Sequence, residues 1–342
     1  MTQSAPAHTN RVAVIGGGSW GTALASVLAT KLPQVTLWCR EEEVMRGINL
    51  NHRNPLYVSE LPLPPTIHAS TDLLEVVATH RILVMVIPTQ FTRQVLNTIR
   101  GAVRKETVFV SASKGVEVET LTLLSDIYKE VFGPQGVTQS CYLSGPSFAR
   151  DVIKQLPTAV AIAGRDPHRV EEIQQLFSTP YFRTYSTEDV VGLELGGALK
   201  NVIALAAGIS DGLGFGHSAR AALITRGLTE IIRLGTRLGA APETFSGLSG
   251  LGDLLLTATS EMSRNRTVGF RLGSGESLAE IQKGTREVAE GVKTTLSVNR
   301  LAEKRAIEMP IARAVHGILY EERAPRSVVT ELMERALKSE KE

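Results

Sequence analysis

Gly16-Gly-Gly18-Ser19-Trp20-Gly21 has the spacing G-x-G-x-x-G. It follows the β-branched run Arg11–Ile15 directly and opens a helical stretch of small residues, Ser19–Ala29. In that setting Gly16 permits a tight turn, Gly18 lets a phosphate approach the backbone, and Gly21 lets the helix pack on the strand. The helix start adds unpaired N–H groups and a positive dipole end. The chemistry is the cradling of a pyrophosphate. A glycine-rich turn without a ligand has the same letters, but the placement between strand and helix favours the phosphate loop. At the end of the next strand an acidic residue would bond a ribose 2′-hydroxyl, whereas an arginine would pair with a 2′-phosphate. The chain has Trp38-Cys39-Arg40-Glu41 there. Arg40 comes first, so NADP(H) is expected to be accepted and preferred over NAD(H). Glu41 confuses the choice, and a merely solvated Arg40 is the plain alternative.

A second group centres on an amine. In Glu194-Leu-Gly-Gly-Ala-Leu-Lys200-Asn-Val-Ile-Ala-Leu-Ala-Ala, a helix places Lys200 on one face with Gly196, Gly197, Ala204 and Ala207, flanked by Leu193 and Ile203. A solvent face would carry more charge, and a core would not seat an unpaired ammonium. The small neighbours predict a hollow around one amine. A desolvated lysine gives up its proton nearer neutrality and suits acid–base work. A lysine snorkelling from a helix contact fits the same letters.

Smaller signals surround these. Ser111-Ala-Ser-Lys114-Gly115 and Ser144-Gly145-Pro-Ser147-Phe-Ala149 each follow a predicted strand, where ligands of open parallel sheets bind. Either alone could be an ordinary turn. Asp253, in Leu248-Ser-Gly-Leu-Gly-Asp253, could simply cap a helix. In Ser263-Arg264-Asn265-Arg266, a polar helix start, Arg264 has the planar donor fork for a phosphate or carboxylate, or is part of a solvated basic turn.

The elements that must position these residues fall into two halves. Strands are predicted at Arg11–Ile15, Val35–Cys39, Ile82–Ile87, Thr107–Val110, Cys141–Leu143, Ala159–Ala163 and Phe182–Tyr185. Nearly continuous apolar strands separated by helices imply a parallel sheet covered on both faces, the doubly wound α/β pattern. From Gly192 onward the patterns are helical: Gly192–Ile209, His217–Leu238, Ser277–Lys283, Gly291–Lys304, Pro310–Glu322 and Ser327–Ser339. A domain change is expected near residue 190, giving a sheet domain over 1–190 and a helical domain over 191–342.

Composition narrows the partners. Lys plus Arg is 37 against 35 for Asp plus Glu, a net charge of +2, which argues against nucleic acid or a membrane surface. At 43% hydrophobic the chain can bury a large core. Its two cysteines, Cys39 and Cys141, lack ligand spacing, so neither a disulfide scaffold nor a metal site is expected. The polar stretch Met1–Asn10 lacks the apolar core of a signal peptide, and the longest apolar run, Ile82–Ile87, is far short of a bilayer span. A soluble, cytoplasmic protein is expected.

Taken together in order, the Gly16–Gly21 loop, Ser113-Lys114-Gly115, Gly145–Ala149, Leu195-Gly-Gly-Ala-Leu-Lys200-Asn-Val, Gly250-Leu-Gly-Asp253-Leu and Ser263–Arg266 resemble the bacterial-type NAD(P)-dependent glycerol-3-phosphate dehydrogenases. The resemblance runs from about residue 11 to 335. It implies a Rossmann-type doubly wound N-terminal domain and an all-α C-terminal domain, 6-phosphogluconate-dehydrogenase-like, usually in a homodimer. It implies reversible reduction of dihydroxyacetone phosphate to sn-glycerol 3-phosphate with NAD(P)H, feeding phospholipid synthesis, without a metal. By the same resemblance Lys200 exchanges the proton at the carbonyl oxygen, and Lys114 contacts substrate and cofactor. Gly145, Ser147, Asp253, Ser263, Arg264 and Asn265 belong to the substrate site. Ser19, Trp20, Ala149, Arg264, Val288 and Glu290 join the three loop glycines and Arg40 as cofactor contacts. Two readings compete: another dehydrogenase of this architecture acting on a hydroxy acid, and a non-catalytic dinucleotide sensor.

Overall fold

The computed structural model describes residues 11–283, 289–337 and 339–340. Two compact units make up the chain. The first comprises residues up to 114 and 122–194, and the second comprises 115–121 and everything from Leu195 on. The division falls inside one long helix, Val190–Gly212.

The first unit is built on one eight-stranded sheet: β1 (Val12–Ile15), β2 (Val35–Trp38), β3 (Ile67–Ser70), β4 (Ile82–Met85), β5 (Val108–Ser111), β6 (Ser140–Ser144), β7 (Thr158–Gly164) and β8 (Phe182–Thr187). Spatial order is β3-β2-β1-β4-β5-β6-β7-β8. Between them run α1 (Ser19–Leu28), α2 (Glu42–Asn51), α3 (Leu73–Thr79), α4 (Thr89–Ile99), α5 (Leu124–Phe132), α6 (Pro134–Thr138), α7 (Ala149–Ile153) and α8 (Pro167–Phe177). Every residue of β1, β4, β5 and β6 is buried, as expected for strands covered on both faces. The chain order reverses between β1 and β4, which makes the ends of those strands the switch point where such sheets bind ligands.

Two features depart from the sequence reading. The sheet is not wholly parallel, because β7 runs antiparallel to β6, with Cys141 opposite Gly164. The connection between them, residues 145–157, holds only the five-residue helix α7 in place of a full crossover helix. The second departure is β3, Ile-His-Ala-Ser, which was not expected. As an edge strand it alternates buried and exposed residues instead of showing a continuous apolar run.

In the second unit the helices are the remainder of α9 (Val190–Gly212), then α10 (Gly216–Arg237), α11 (Asp253–Thr259), α12 (Arg264–Gly273), α13 (Leu278–Lys283), α14 (Glu290–Lys304), α15 (Pro310–Tyr320) and α16 (Pro325–Met333). The last starts and stops earlier than Ser327–Ser339, because Pro325 opens it at the first helical position and the described residues after Met333 are exposed. Among the described residues α9 alone is long and apolar enough to cross a bilayer, but 94% of its most apolar window is buried within the protein. It is packed backbone to backbone. A Cβ on Gly208 would lie 2.0 Å from the Arg266 carbonyl oxygen, and one on Gly269 would lie 2.1 Å from that of Leu205. Gly208 and Gly212 face Gly269 and Gly273, so α9 and α12 meet along two small-x-x-x-small stripes.

Candidate active site

The phosphate loop occupies the switch point of the sheet. Gly16 has φ +130°, and a Cβ there would lie 2.4 Å from the Val86 carbonyl oxygen after β4. A Cβ at Gly21 would lie 1.8 Å from the Gly16 carbonyl oxygen, which explains the third glycine. At Gly18 a Cβ would meet nothing within 4 Å. The open side of the loop is therefore where an anion would meet the backbone and the start of α1. Ser19 is the first helical residue, and its hydroxyl donates weakly to the Tyr57 carbonyl oxygen at 3.4 Å. The Trp20 indole Nε1–H is buried without a hydrogen-bond partner. A buried donor without an acceptor and an open glycine face both fit a dinucleotide bound here.

At the end of β2, Arg40 has 84% of its side chain exposed and donates to Glu41 Oε1 at 3.2 Å. Glu41 also accepts from the Tyr57 hydroxyl, at 3.4 Å. Cys39 beside them is buried, and burial together with the Glu41 charge pushes its thiol up to about 12, so it is inert.

Lys114 and the Gly145–Ala149 loop come together within the first unit. Lys114 Nζ lies 3.3 Å from the Gly145 carbonyl oxygen, which also accepts from Ser147 Oγ at 3.0 Å. Gly145 has φ +150°, and a Cβ there would lie 2.8 Å from the Val160 Cα. The glycine lets the loop turn over β7. Ala149 begins α7 and packs against the hydrophobic core of the sheet.

In the second unit the central finding is the partner of Lys200. Its amine donates to Asp253 Oδ1 at 2.7 Å and to Thr257 Oγ1 at 2.8 Å. Lys200 is 8% exposed and Asp253 1%. The lysine is thus neither snorkelling nor alone. The residue before α11 is Gly252, so Asp253 is the first helical residue. Thr257, one turn later, was missed by the sequence reading. The only trace of it is the i, i+4 spacing from Asp253 on an otherwise apolar helix. The expected hollow is partly taken up by backbone: a Cβ on Gly196 would lie 2.4 Å from the Ser249 carbonyl oxygen. The small residues let the 248–252 turn press against α9 and so deliver Asp253 to the amine.

The Ser263–Asn265 motif divides its labour. Ser263 caps α12, accepting from the Arg266 N–H at 3.3 Å. Arg264 is exposed at the first helical position. Asn265 turns inward, where Nδ2 donates to Asn201 Oδ1 at 2.9 Å and Oδ1 accepts from the Gly291 N–H at 3.0 Å. Its side chain ties α9 to the start of α14, where Glu290 sits. Asn201 is a further buried polar residue that sequence reasoning left unassigned. Val288 lies outside the described residues.

Two family descriptions cover nearly all of this architecture. The N-terminal part of the NAD-dependent glycerol-3-phosphate dehydrogenases matches residues 11–170, and the C-terminal part matches 189–330. A glycerol-3-phosphate dehydrogenase [NAD(P)+] of Leptospira biflexa is 52% identical over 96% of this chain and 99% of its own length. One from Geobacter sulfurreducens is 49% identical over 97% of this chain and 99% of its own. Among solved structures, the glycerol-3-phosphate dehydrogenase of Coxiella burnetii superposes with a TM-score of 0.91 at 39% identity, covering 95% of this chain and 99% of that one. The chain belongs to the NAD-dependent glycerol-3-phosphate dehydrogenase family.

Proposed function

We propose that this chain catalyses the reversible reduction of dihydroxyacetone phosphate to sn-glycerol 3-phosphate with NAD(P)H. The observation that carries the reading is the buried Lys200–Asp253–Thr257 centre, where Lys200 of α9 meets Asp253 and Thr257 of α11. A bound NAD(P)H supplies the hydride. Lys200 holds a proton at Nζ and gives it to the substrate oxygen, where negative charge grows in the transition state. Asp253 Oδ1 and Thr257 Oγ1 accept from the ammonium, which fixes the position and rotation of the amine. Lys114 adds positive charge from the loop after β5. Arg264 and the backbone N–H groups at the start of α12 receive the substrate phosphate, and the Gly16–Gly21 loop and Trp20 receive the dinucleotide. Gly145 and Ser147 line the substrate site, and Ala149 and Glu290 join the cofactor contacts.

NADP(H) is the preferred dinucleotide on this reading. The exposed Arg40–Glu41 pair is worth little, so Arg40 is free to exchange Glu41 for a 2′-phosphate. The family resemblance further supports a cytoplasmic homodimer whose product feeds phospholipid synthesis; light scattering of the purified protein checks the dimer.

The test is the near-ultraviolet absorbance of reduced nicotinamide, followed with dihydroxyacetone phosphate and either NADPH or NADH. Oxidation that requires the phosphorylated substrate is expected. Turnover only with a non-phosphorylated keto acid would move the assignment to another dehydrogenase. Tight NADPH binding without turnover on any substrate would make the protein a sensor.

A further inference from the structure

We infer that Asn54 is a positioning residue for the dinucleotide: it aims the Gly18 N–H of the phosphate loop by holding the carbonyl oxygen of Gly17. Asn54 lies three residues beyond α2, in the connection to β3, and is completely buried. Its Nδ2 donates to the Gly17 carbonyl oxygen at 2.8 Å and to Thr22 Oγ1 at 2.8 Å. Its Oδ1 accepts from the Leu56 N–H at 3.3 Å. A side-chain amide with this much bonding in a fully buried setting has one orientation.

The consequence follows from peptide geometry. The Gly17 carbonyl and the Gly18 N–H share one planar trans unit and point in opposite directions. A carbonyl pulled inward by Asn54 sends that N–H outward, to the side where Gly18 opens onto free space. The other face of Gly17 is closed as well, since a Cβ there would lie 2.4 Å from Cys39 Cβ. Without Asn54 the peptide could rotate about two glycines, the residues with the least resistance to rotation. The second bond, to Thr22 in the first turn of α1, takes up the other amide hydrogen of Asn54. Tyr57, in the same segment, reaches both Ser19 and Glu41. Residues 54–57 thus back the binding surface from the phosphate loop to the end of β2.

This inference rests on the dinucleotide reading above, and the experiment separates the two. NADPH binding is measured by titration of wild type, Asn54→Leu and Thr22→Val, with melting temperatures alongside. Leucine keeps the shape of asparagine and removes its hydrogen bonds without adding charge. Thr22→Val removes the other acceptor of Asn54 and leaves the Gly17 bond. Asn54→Leu is expected to weaken NADPH binding about tenfold or more, the loss of one buried hydrogen bond. Its kcat at saturating NADPH and its KM for dihydroxyacetone phosphate should stay within about twofold, as for a change confined to dinucleotide binding. Thr22→Val should leave NADPH affinity within about twofold despite a lowered melting temperature. Equal losses of affinity in the two variants, or none in Asn54→Leu, would overturn the inference. Wild type that binds no dinucleotide would instead overturn the reading beneath it. Should Asn54→Leu not fold, the wild type decides: the Asn54 side-chain amide proton should move downfield when NADPH is added, because an anion on the Gly18 N–H polarises the Gly17 carbonyl. An unmoved signal would refute the role.

Discussion

The Lys200 ammonium and the Asp253 carboxylate stand 2.7 Å apart, with 10% of the lysine side chain and 2% of the aspartate exposed. A buried pair of this kind is costly to break, because removing one partner strands the other charge, at roughly 3–5 kcal/mol. Catalysis and stability therefore have to be separated. Lys200→Ala should lower kcat by about 10²- to 10⁴-fold, the usual worth of a positioned proton donor, with NADPH affinity unchanged. It should also lower the melting temperature. Adding Asp253→Asn removes the stranded carboxylate and should restore much of the lost stability without restoring any kcat. Recovery of activity in the double variant would mean that Lys200 serves only to neutralise Asp253.

The α9–α12 contact gives a second expectation. A methyl on Gly269 would lie 2.1 Å from the carbonyl oxygen of Leu205 and 3.0 Å from the backbone nitrogen of Ile209. Backbone cannot step aside as a side-chain tip can, so the helices must separate. Gly269→Ala should cost about 1–3 kcal/mol, the usual range for overpacking, read from urea unfolding. Because α12 carries Arg264 at its start, the same variant should raise KM for dihydroxyacetone phosphate more than KM for NADPH. Gly275→Ala gives a contrast: its Cβ meets nothing, but its φ of +102° makes any cost one of backbone strain.

How much of this could be read from the letters depended on whether the signal was local. The loop glycines were legible because each serves its own turn, strand or helix start. Lys200 was legible because an amine among glycines and alanines contradicts both a surface and a core. Its pairing was not: Asp253 was named as a site residue but not as the partner of Lys200, and Thr257 was not named, because they lie 53 and 57 residues away and only tertiary packing brings them in. The residues 263–265 were found as one motif, yet the structure gives them a cap, an exposed guanidinium and an inward tether, which depend on the rotation of α12 against α9. Asn54 gave no periodic sign at all, being one polar residue before a proline in a connecting loop. The strand β3 was lost for a similar reason: at a sheet edge only one of its faces is buried.

Two buried carboxyls set a pH dependence of stability. Burial pushes Glu230 up to about 7, although it accepts from the Ile311 and Ala312 N–H groups at the start of α15. Burial likewise pushes Glu194 up to about 8 against the Ser125 N–H and hydroxyl. Both values lie above the 4.5 of a free glutamate. Between 4.5 and these values the folded chain holds protons that the unfolded chain has released, so stability falls as pH rises through that window. At full separation of the two states each group changes the folding constant by roughly tenfold per pH unit. Denaturant unfolding at a series of pH values between 5 and 8.5 should show this slope. Glu230→Gln keeps an acceptor for α15 and removes the proton, so its slope over pH 5–7 should be flatter by one group. A slope identical to wild type would mean that Glu230 is not protonated in the fold.

Arg40 is the residue proposed to favour NADP(H). Its guanidinium is exposed and, among the described residues, paired with the neighbouring Glu41 carboxylate, a contact worth less than about 1 kcal/mol. A 2′-phosphate offers a charge-assisted, bidentate alternative worth more than that. Arg40→Ala should therefore raise KM for NADPH by about tenfold, the loss of one charged hydrogen-bonded contact, and leave KM for NADH nearly unchanged. Glu41→Gln should act in the opposite sense. It frees Arg40 from its carboxylate and removes the negative charge that would face a 2′-phosphate, so NADPH should bind more tightly while NADH gains nothing. Steady-state kinetics with both dinucleotides on the two variants measure this directly. Equal changes in KM for NADPH and NADH in Arg40→Ala would show that the residue supports the end of β2 without reading the ribose.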